Sequence, residues 1–153
     1  MAGLFLIKGY RLIIGLALVL AGCNGLFFHP DDTHVSTPCA LGLTYWDVYF
    51  GSSDGIKLHG WFLPASGEAL GTVLYLHGNA QNISTHIHNV SWLPERRFNV
   101  FLMDYRGYGA SEGEPDIGGI HKDVASAIDY LVETAPIDPD RLIVFGQSLG
   151  GSV

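Results

Sequence analysis

Apolar and polar residues alternate in the first part of the chain, and this pattern predicts a β-hairpin. Residues 44–50 and 56–63 are strand-like runs, and the glycine-rich segment between them contains the Asp-Gly pair typical of hairpin turns. In the second run, apolar positions alternate with Lys57, His59 and Trp61. Because successive side chains of a strand point to opposite faces, we expect one face of this strand to be packed and the other to be partly solvated.

The following part of the chain alternates between apolar runs and helical periodicity. Residues 72–76, 99–103 and 141–145 are short, strongly apolar runs, as expected of parallel strands covered on both faces. Between them, residues 82–93 and 116–134 repeat apolar positions with a helical period. The helical faces consist of Ile83, Ile87 and Val90 in the first segment and Ile117, Ile120, Val124, Ile128 and Leu131 in the second. The alternation predicts an α/β fold with a mostly parallel sheet and helices on both faces.

The amino terminus has the order of a secretory signal. Lys8 and Arg11 precede the apolar run 12–20, which is too short to span a bilayer. The run ends in Leu-Ala-Gly-Cys, with the cysteine at position 23. That tetrapeptide resembles the lipobox of bacterial lipoproteins, which implies acylation of Cys23 and cleavage before it. The alternative is an ordinary signal peptide, or a short membrane anchor, that contains a cysteine by chance.

The lipobox implies a signal peptide over residues 1–22 and a location in the bacterial cell envelope. Residues 23–43 are punctuated by proline and aspartate and lack periodicity, so we expect a tether between the lipid and the domain. Asn24 is not the aspartate that favours inner-membrane retention in enteric bacteria. We therefore expect lipid anchoring at the periplasmic face of the outer membrane rather than at the inner membrane.

The negative net charge of the chain narrows the classes of binding partner that we expect. Removal of residues 1–22 takes away Lys8 and Arg11 but no acidic residue, so the formal net charge changes from −7 to −9. An acidic surface disfavours nucleic acid and anionic headgroups as partners. If Cys23 is lipidated, Cys39 has no cysteine left to pair with and is expected to be a small buried thiol. The oligomeric state is not encoded in these features.

The strongest catalytic signal is the segment Gly146-Gln147-Ser148-Leu149-Gly150. The pattern Gly-x-Ser-x-Gly is the nucleophile elbow, in which a strand turns sharply into a helix and presents a serine at the apex. The alternative is a glycine turn with an ordinary solvated serine. The apolar run that leads directly into the motif favours the elbow, and we predict Ser148 as a nucleophile.

Three further segments border the predicted strands in a fixed order. His77-Gly78-Asn79-Ala80 and Asp104-Tyr105-Arg106-Gly107-Tyr108-Gly109-Ala110-Ser111 each follow a strand, and Asp138-Pro139-Asp140-Arg141 precedes the strand that leads into the elbow. With the elbow, they resemble the α/β-hydrolases of the Bem46-like group, near the serine aminopeptidase and monoglyceride lipase relatives. The resemblance covers residues 44–153. A complete domain of that family is about twice this length, and its catalytic acid and histidine follow the serine. We therefore expect a partial domain, the amino-terminal half of the fold, that is truncated just after the elbow.

The resemblance also implies roles for residues around the elbow. The oxyanion donors are expected to be the main-chain N–H groups of Leu149 and Asn79, with Ala80 as the alternative if the loop register differs by one. His77 is expected to brace this loop rather than act as a base. Asp104 and Arg106, which could pair with each other, are expected to hold the loop that follows their strand.

The remaining histidines do not predict a metal site. His86 and His88 lack a third ligand at a useful spacing, so we expect a solvated helix face. The same expectation applies to His29, His34, His59 and His121. We predict no metal and no cofactor.

Together these features predict a lipid-anchored serine hydrolase that cleaves an ester, thioester or amide of a small-molecule or lipid-like acyl substrate. The chain of 153 residues is expected to lack the triad acid and histidine and to be inactive by itself. The alternative from a different class is a non-catalytic lipoprotein, either a decayed fragment or a binding module that kept the hydrolase scaffold.

Overall fold

The computed structural model describes residues 27–153. The predicted signal peptide and Cys23 lie outside this range. Within it, none of the helices combines the length and apolar character needed to cross a membrane.

The described residues form seven strands and two α-helices. The strands are β1 (His29–Pro30), β2 (Trp46–Gly51), β3 (Lys57–Leu63), β4 (Gly71–Leu76), β5 (Ala80–Gln81), β6 (Phe98–Asp104) and β7 (Leu142–Gly146). The helices are α1 (Ile83–His86) and α2 (Ile117–Glu133). Single 3-10 turns occur at Pro38–Leu41, Ile87–Asn89, Pro94–Arg96, Pro139–Arg141 and Ser148–Gly151.

Five strands form one mixed sheet in the order β2-β3-β6-β4-β7. Strands β6, β4 and β7 run parallel to one another. Strand β3 is antiparallel to both of its neighbours, β2 and β6. The predicted hairpin is therefore present, and it is attached to a parallel unit. Because β4 and β7 run in parallel, their carboxyl ends meet at one edge of the sheet, where the loop after β4 and the elbow after β7 lie.

The centre of the sheet is covered on both faces, as predicted, whereas the edge strand β7 is exposed, contrary to the expectation for residues 141–145. Helix α2 packs its apolar face into one cluster with Leu74, Leu76 and Phe101, and α1 packs into the cluster on the other face. Strands β4 and β6 are buried almost throughout because they lie between these two layers.

The two helices differ in how closely they follow the predicted lengths. Helix α2 begins where the side chain of Asp116 accepts a hydrogen bond from the N–H of Gly119 and covers almost the whole predicted segment. Helix α1, capped by Asn82, forms only one turn before the chain continues as a 3-10 turn. Its predicted apolar face is nevertheless buried, at Ile83, Ile87 and Val90.

The prediction of a partly wet face on β3 is wrong. His59 and Trp61 are each only 1% exposed. The ring of His34 lies over both, with centroid distances of 5.3 Å to His59 and 4.9 Å to Trp61. A segment before the hairpin therefore covers the face that the local pattern marked as solvated.

That segment differs from the predicted free tether over residues 23–43, because its described part packs on the domain. Strand β1 pairs in parallel with β5, and Phe28 is buried in the core. The Nδ2 of Asn82 donates to the main-chain oxygens of Asp31 and Thr33, at 2.9 Å each. The main-chain N–H of Val35 donates to Ser84 Oγ at 3.0 Å. Apolar and polar contacts thus hold the segment against the loop that follows β4.

Candidate active site

The elbow predicted around Ser148 is present. Strand β7 ends at Gly146, and a 3-10 turn begins at Ser148, whose φ is +53°. This left-handed conformation is uncommon for a residue with a side chain and is a source of strain at functional sites. Ser148 is exposed, so its hydroxyl is presented to solvent at the carboxyl end of the parallel strands.

The two glycines of the motif are required by the close crossing of the chain. A Cβ at Gly146 would overlap the main-chain oxygen of Gly150, and a Cβ at Gly150 would overlap the main-chain oxygen of Leu76. The N–H of Gln147 donates to the same Leu76 oxygen at 3.0 Å. The end of β4 therefore fixes the position of the elbow.

The loop predicted to provide the oxyanion donor lies against the elbow. A Cβ placed on Gly78 would be 3.7 Å from Ser148 Cβ. The next residue, Asn79, is held by Tyr108, whose hydroxyl lies 2.8 Å from the main-chain oxygen and 2.9 Å from the Oδ1 of Asn79. Leu149 is buried at the second position of the 3-10 turn, where a main-chain N–H has no partner four residues back in the same helix. The structure thus brings Asn79, Ser148 and Leu149 to one end of the sheet.

The alternative donor, Ala80, also lies in this loop. It forms β5 and is paired with His29 of the amino-terminal segment. The side-chain Nδ2 of Asn79 donates to the main-chain oxygen of Phe27 at 2.5 Å. Two residues of the predicted tether, Phe27 and His29, therefore contact the two residues that could donate to an oxyanion.

A polar cluster that sequence reasoning missed holds the residue before the nucleophile. The Oε1 of Gln147 accepts hydrogen bonds from the hydroxyl of Tyr75 at 2.5 Å and from the Nδ2 of Asn89 at 2.9 Å. Burial raises the pKa of Tyr75, so its hydroxyl remains a donor. Tyr75 lies within an apolar run and Asn89 within a helical segment, so neither carried a sequence signal for this contact.

The geometry of His77 agrees with a bracing role. The side chain is fully buried, its Nδ1–H donates to the main-chain oxygen of Gly78 at 2.7 Å, and Tyr105 donates to the main-chain oxygen of His77 at 3.0 Å. Burial lowers the pKa of His77 to about 4, so the ring is neutral at pH 7. No described histidine is hydrogen-bonded to Ser148 Oγ.

His86 lies close to the elbow without contacting the serine through a hydrogen bond. The position that a Cβ on Gly78 would occupy lies 3.5 Å from His86 Cε1 and 3.7 Å from Ser148 Cβ. The Nε2 of His86 lies 3.0 Å from the main-chain oxygen of Ala80. The ring stacks on His77 rather than facing solvent as predicted. By contrast, His29, His88 and His121 are exposed, as predicted.

Asp104 and Arg106 do not pair with each other. Arg106 instead binds Asp123, with its closest nitrogen–oxygen distance at 2.7 Å, and Asp54 at 3.0 Å. Hydrogen bonding to Asp123 raises the pKa of Arg106, and hydrogen bonding to Arg106 lowers that of Asp54. Strand β6 ends at Asp104, so the two side chains leave the chain in different directions.

The carboxylate of Asp104 lies among histidines. Its Oδ2 is 3.0 Å from His34 Nε2 and 3.5 Å from His59 Nδ1. The prediction that His34 and His59 belong to the solvated surface is wrong, because both rings lie beside this buried carboxylate. Burial opposes ionisation of Asp104, but the hydrogen bond from His34 and the nearby ring of His59 outweigh it and lower the pKa of Asp104 to about 2.

Comparison with known proteins decides the family. A family model described as serine aminopeptidase, S33, matches residues 67–153. The chain belongs to the α/β-hydrolase superfamily, in its Bem46-like group. Protein bem46 of Schizosaccharomyces pombe is 32% identical over 123 residues, covering 78% of this chain and 41% of that protein. The resemblance found in the motifs is thereby confirmed.

Other relatives cover more of the chain. The uncharacterized protein YfhR of Escherichia coli K12 is 44% identical over 133 residues, covering 82% of this chain and 45% of that protein. The α/β-hydrolase domain-containing protein WAV2 of Arabidopsis thaliana is 40% identical, covering 99% of this chain and 52% of that protein. The chain thus spans about half the length of the curated relatives that it matches.

A solved structure agrees with the fold. The Pyrococcus furiosus esterase Pf2001 has a TM-score of 0.69 and 26% identity, over 81% of this chain and 48% of that chain. The expectation of a partial α/β-hydrolase fold is therefore confirmed.

Proposed function

We propose that this chain carries the nucleophile and the oxyanion site of a serine hydrolase that cleaves an ester, thioester or amide. The observation that carries the proposal is the strained φ of +53° at Ser148 in the elbow, next to the loop of Asn79. In the reaction, the Ser148 oxygen attacks the substrate carbonyl carbon while its proton passes to a base. The N–H groups of Leu149 and Asn79 stabilise the oxyanion that forms, and one such donor contributes about 3–4 kcal/mol.

The proposal includes a base and an acid that follow the serine in chain order, as the triad does in this fold. We place both in the part of the relatives' length that this chain does not match. Without a base the serine stays protonated, and loss of the serine or the histidine of a triad costs about 10⁶ in rate. We therefore expect the 153-residue chain alone to show no turnover that depends on Ser148.

A fluorophosphonate probe tests the nucleophile. In the protein extended to the full length of its relatives, the probe should label the wild type and the control Ser66→Ala, whose serine is exposed and remote from the elbow. Ser148→Ala should abolish labelling and the hydrolysis of p-nitrophenyl acetate. Labelling that persists in Ser148→Ala would place the nucleophile elsewhere.

The same assay on the 153-residue chain tests the location of the base. Hydrolysis that is lost in both Ser148→Ala and His86→Gln would show that His86 acts as the base and would contradict a base outside this chain. His88→Gln, an exposed histidine of the same segment, is the matched control.

Membrane attachment is a second part of the proposal. We infer that Cys23 is the lipidated amino terminus and that the protein is anchored in the bacterial cell envelope, at the outer membrane in preference to the inner membrane. Each buried methylene contributes about 0.8 kcal/mol, so two or more acyl chains hold a protein stably where one is marginal.

Labelled palmitate should be incorporated into the wild type and Cys39→Ala but not into Cys23→Ala. Equal incorporation into Cys23→Ala would refute the lipobox interpretation.

The amino-terminal contacts support a lipid-like acyl substrate. Phe27 lies four residues after Cys23, and an extended chain of four residues spans at most about 14 Å. Because Asn79 binds the main-chain oxygen of Phe27, the proposed oxyanion loop would lie close to a bilayer that holds Cys23. Nucleic acid is not expected as a partner because the chain is acidic.

The second candidate function is a non-catalytic binding module. It is favoured by one observation, that no histidine among residues 27–153 hydrogen-bonds Ser148 Oγ. A full-length protein that binds acyl compounds but neither reacts with the fluorophosphonate probe nor hydrolyses esters would support this candidate over the hydrolase.

A further inference from the structure

Three potential metal ligands from distant parts of the chain meet beside the amino-terminal segment. His34 comes from that segment, His59 from β3 and Asp104 from the end of β6. The Nε2 of His34 is 3.0 Å and the Nδ1 of His59 is 3.5 Å from the Oδ2 of Asp104, and the three atoms all lie within 4.8 Å of one another. This cluster lies outside the proposed catalytic machinery.

A hydrogen bond on the far side of His59 sets its tautomer. The Oδ1 of Asp47 lies 2.9 Å from His59 Nε2 and also accepts from Trp61 Nε1 at 2.9 Å. Because a carboxylate only accepts, His59 Nε2 carries a proton, and in the neutral ring Nδ1 presents its lone pair towards Asp104. A carboxylate that orients a histidine in this way is the usual outer-shell partner of a metal-binding imidazole.

The Nδ1 of His59 has no hydrogen-bond partner, although the residue is only 1% exposed. It faces the Oδ2 of Asp104, which can offer no proton as a carboxylate. A lone pair and a carboxylate oxygen at 3.5 Å require a cation between them, either a proton on Nδ1 or a metal ion bound by both atoms.

We propose that His34 Nε2, His59 Nδ1 and Asp104 Oδ2 bind a divalent first-row transition metal ion of the Zn²⁺ class, with the fourth position open to water. Zinc bonds of about 2.0–2.1 Å in a tetrahedron place neighbouring ligand atoms about 3.3 Å apart. The observed separations of 3.0 and 3.5 Å are close to this value. Two imidazole ligands favour Zn²⁺ and the other late first-row transition metal ions over Mg²⁺ and Ca²⁺, which prefer oxygen ligands.

A route for the ion to this cluster is present at His34. The main chain of Gly109 passes close to both ligands, because a Cβ there would overlap Asp104 Oδ2 and lie 2.7 Å from His34 Nε2, so any side chain at this position would displace them. The side chain of His34 is 20% exposed, whereas that of Asp104 is fully buried. The ion would enter along His34, where it would replace the proton that Nε2 donates to Asp104 and leave the His34 ring protonated on Nδ1. It would also replace any proton between His59 and Asp104.

The ion would clamp the amino-terminal segment to the sheet. The other oxygen of Asp104, Oδ1, accepts from the N–H of Ile83 at 2.9 Å and lies 3.8 Å from His77 Nε2. Binding at Oδ2 therefore stabilises the carboxylate that also holds the start of α1 and borders the loop before Asn79. We expect the ion to raise the melting temperature of the folded chain because it binds a site that the unfolded chain lacks.

Metal binding by the whole chain tests the site. The 153-residue chain, in detergent, without a histidine tag and with Cys23→Ser and Cys39→Ser, is stripped with a chelator and titrated with Zn²⁺ or Co²⁺. We expect one equivalent to bind, the visible bands of tetrahedral Co²⁺ to appear and the melting temperature to rise. Mg²⁺ should cause none of these changes.

Two variants and one control locate the binding. Asp47→Asn, which keeps all three ligands, should weaken the affinity for zinc about 10–100-fold. His34→Gln should weaken it at least as much and abolish the Co²⁺ bands, and the exposed control His88→Gln should bind as the wild type does. If the metal-free His34→Gln variant has a lower melting temperature than the wild type, its weaker zinc binding could reflect a damaged fold. The zinc affinity of Asp47→Asn then tests the site, because that variant changes only the outer-shell carboxylate.

Three outcomes would overturn the proposal. One is that the wild type binds no stoichiometric zinc. Another is that both Asp47→Asn and His34→Gln bind zinc as tightly as the wild type. The third is a nitrogen NMR spectrum in which both ring nitrogens of His59 remain protonated when zinc is in excess, which would show that a proton holds the site.

Discussion

Gly150 packs so closely against the end of β4 that a methyl group on its Cα would overlap the main-chain oxygen of Leu76. The same oxygen accepts the N–H of Gln147 at 3.0 Å. One carbonyl of the central sheet therefore determines how the chain turns on both sides of Ser148. Only glycine, which has no Cβ, leaves enough space for the close approach of residue 150 to the Leu76 oxygen.

Substitution at this crossing should destabilise the fold. Gly150→Ala inserts a methyl group into a rigid main-chain contact, and such overpacking costs about 1–3 kcal/mol. The control is Gly151→Ala, whose Cβ would have its nearest contact at 3.6 Å and should change the free energy of unfolding by at most about 0.5 kcal/mol. Urea unfolding measures both, and equal effects of the two variants would contradict the role of the Leu76 carbonyl.

The buried Arg106–Asp123 pair should contribute much more to stability than a surface pair. The side chain of Asp123 is fully buried, so Asp123→Ala leaves the guanidinium of Arg106 without its main partner. We expect a loss of about 3 kcal/mol, the lower end for a broken buried pair, because Asp54 still binds Arg106. Glu68→Gln breaks an exposed pair with Arg97 and should change the free energy of unfolding by at most about 0.5 kcal/mol. Similar losses in the two variants would refute this assignment.

Mild acid should destabilise the fold through His77. Its pKa lies at about 4 in the folded state and near 6.5 when unfolded, so the unfolded chain gains a proton first as the pH falls. The stability that this neutral ring contributes is therefore complete above pH 6.5 and is lost as the pH falls towards about 4, a change of about 3 kcal/mol. Asp104, whose pKa is lowered from 3.8 to about 2, affects stability only below this range.

The measurement is the free energy of unfolding in urea as a function of pH. His77→Asn, whose amide can still donate to Gly78, should remove most of the slope between pH 6.5 and 4. His88→Asn should keep the slope. Burial lowers the pKa of His59, but the neighbouring carboxylates of Asp104 and Asp47 outweigh it and raise the pKa, so His59 acts in the opposite sense and above pH 6.5. A slope that is unchanged in His77→Asn would exclude His77 as its source.

The apolar surface of β7 should bind a hydrophobic dye. Ile143 and Phe145 lie on one face of this edge strand and Val144 on the other, and they are 48%, 46% and 51% exposed, so both faces of the strand carry exposed apolar surface in the described structure. Val144→Thr, which keeps the shape but adds a hydroxyl, should lower the fluorescence of bound ANS. Val132→Thr alters an exposed valine of α2 away from the patch and should not lower it. Equal fluorescence in Val144→Thr and the wild type would show that the dye binds elsewhere.

The sequence alone predicted the elements that depend on local patterns. The continuous apolar runs located β4, β6 and β7. Strands β4 and β6 are covered on both faces and therefore need apolar residues at nearly every position, whereas β7 lies exposed at the edge of the sheet. The motif around Ser148 predicted the elbow, since its glycines are needed wherever a strand turns so sharply into a helix. The period of residues 116–134 predicted α2 and its buried face.

Only the tertiary structure decided which polar residues meet. His34 and His59 were predicted as solvated, yet the path of residues 27–43 over β3 buries them beside Asp104, 70 residues from His34 in the chain. Arg106 binds Asp123 rather than Asp104, because β6 ends at Asp104 and α2 brings Asp123 beside the loop that carries Arg106. A local pattern specifies which way a side chain points from its own element. It does not specify which distant segment covers that side chain, because that is set by the order of strands in the sheet and by the packing of the chain across it.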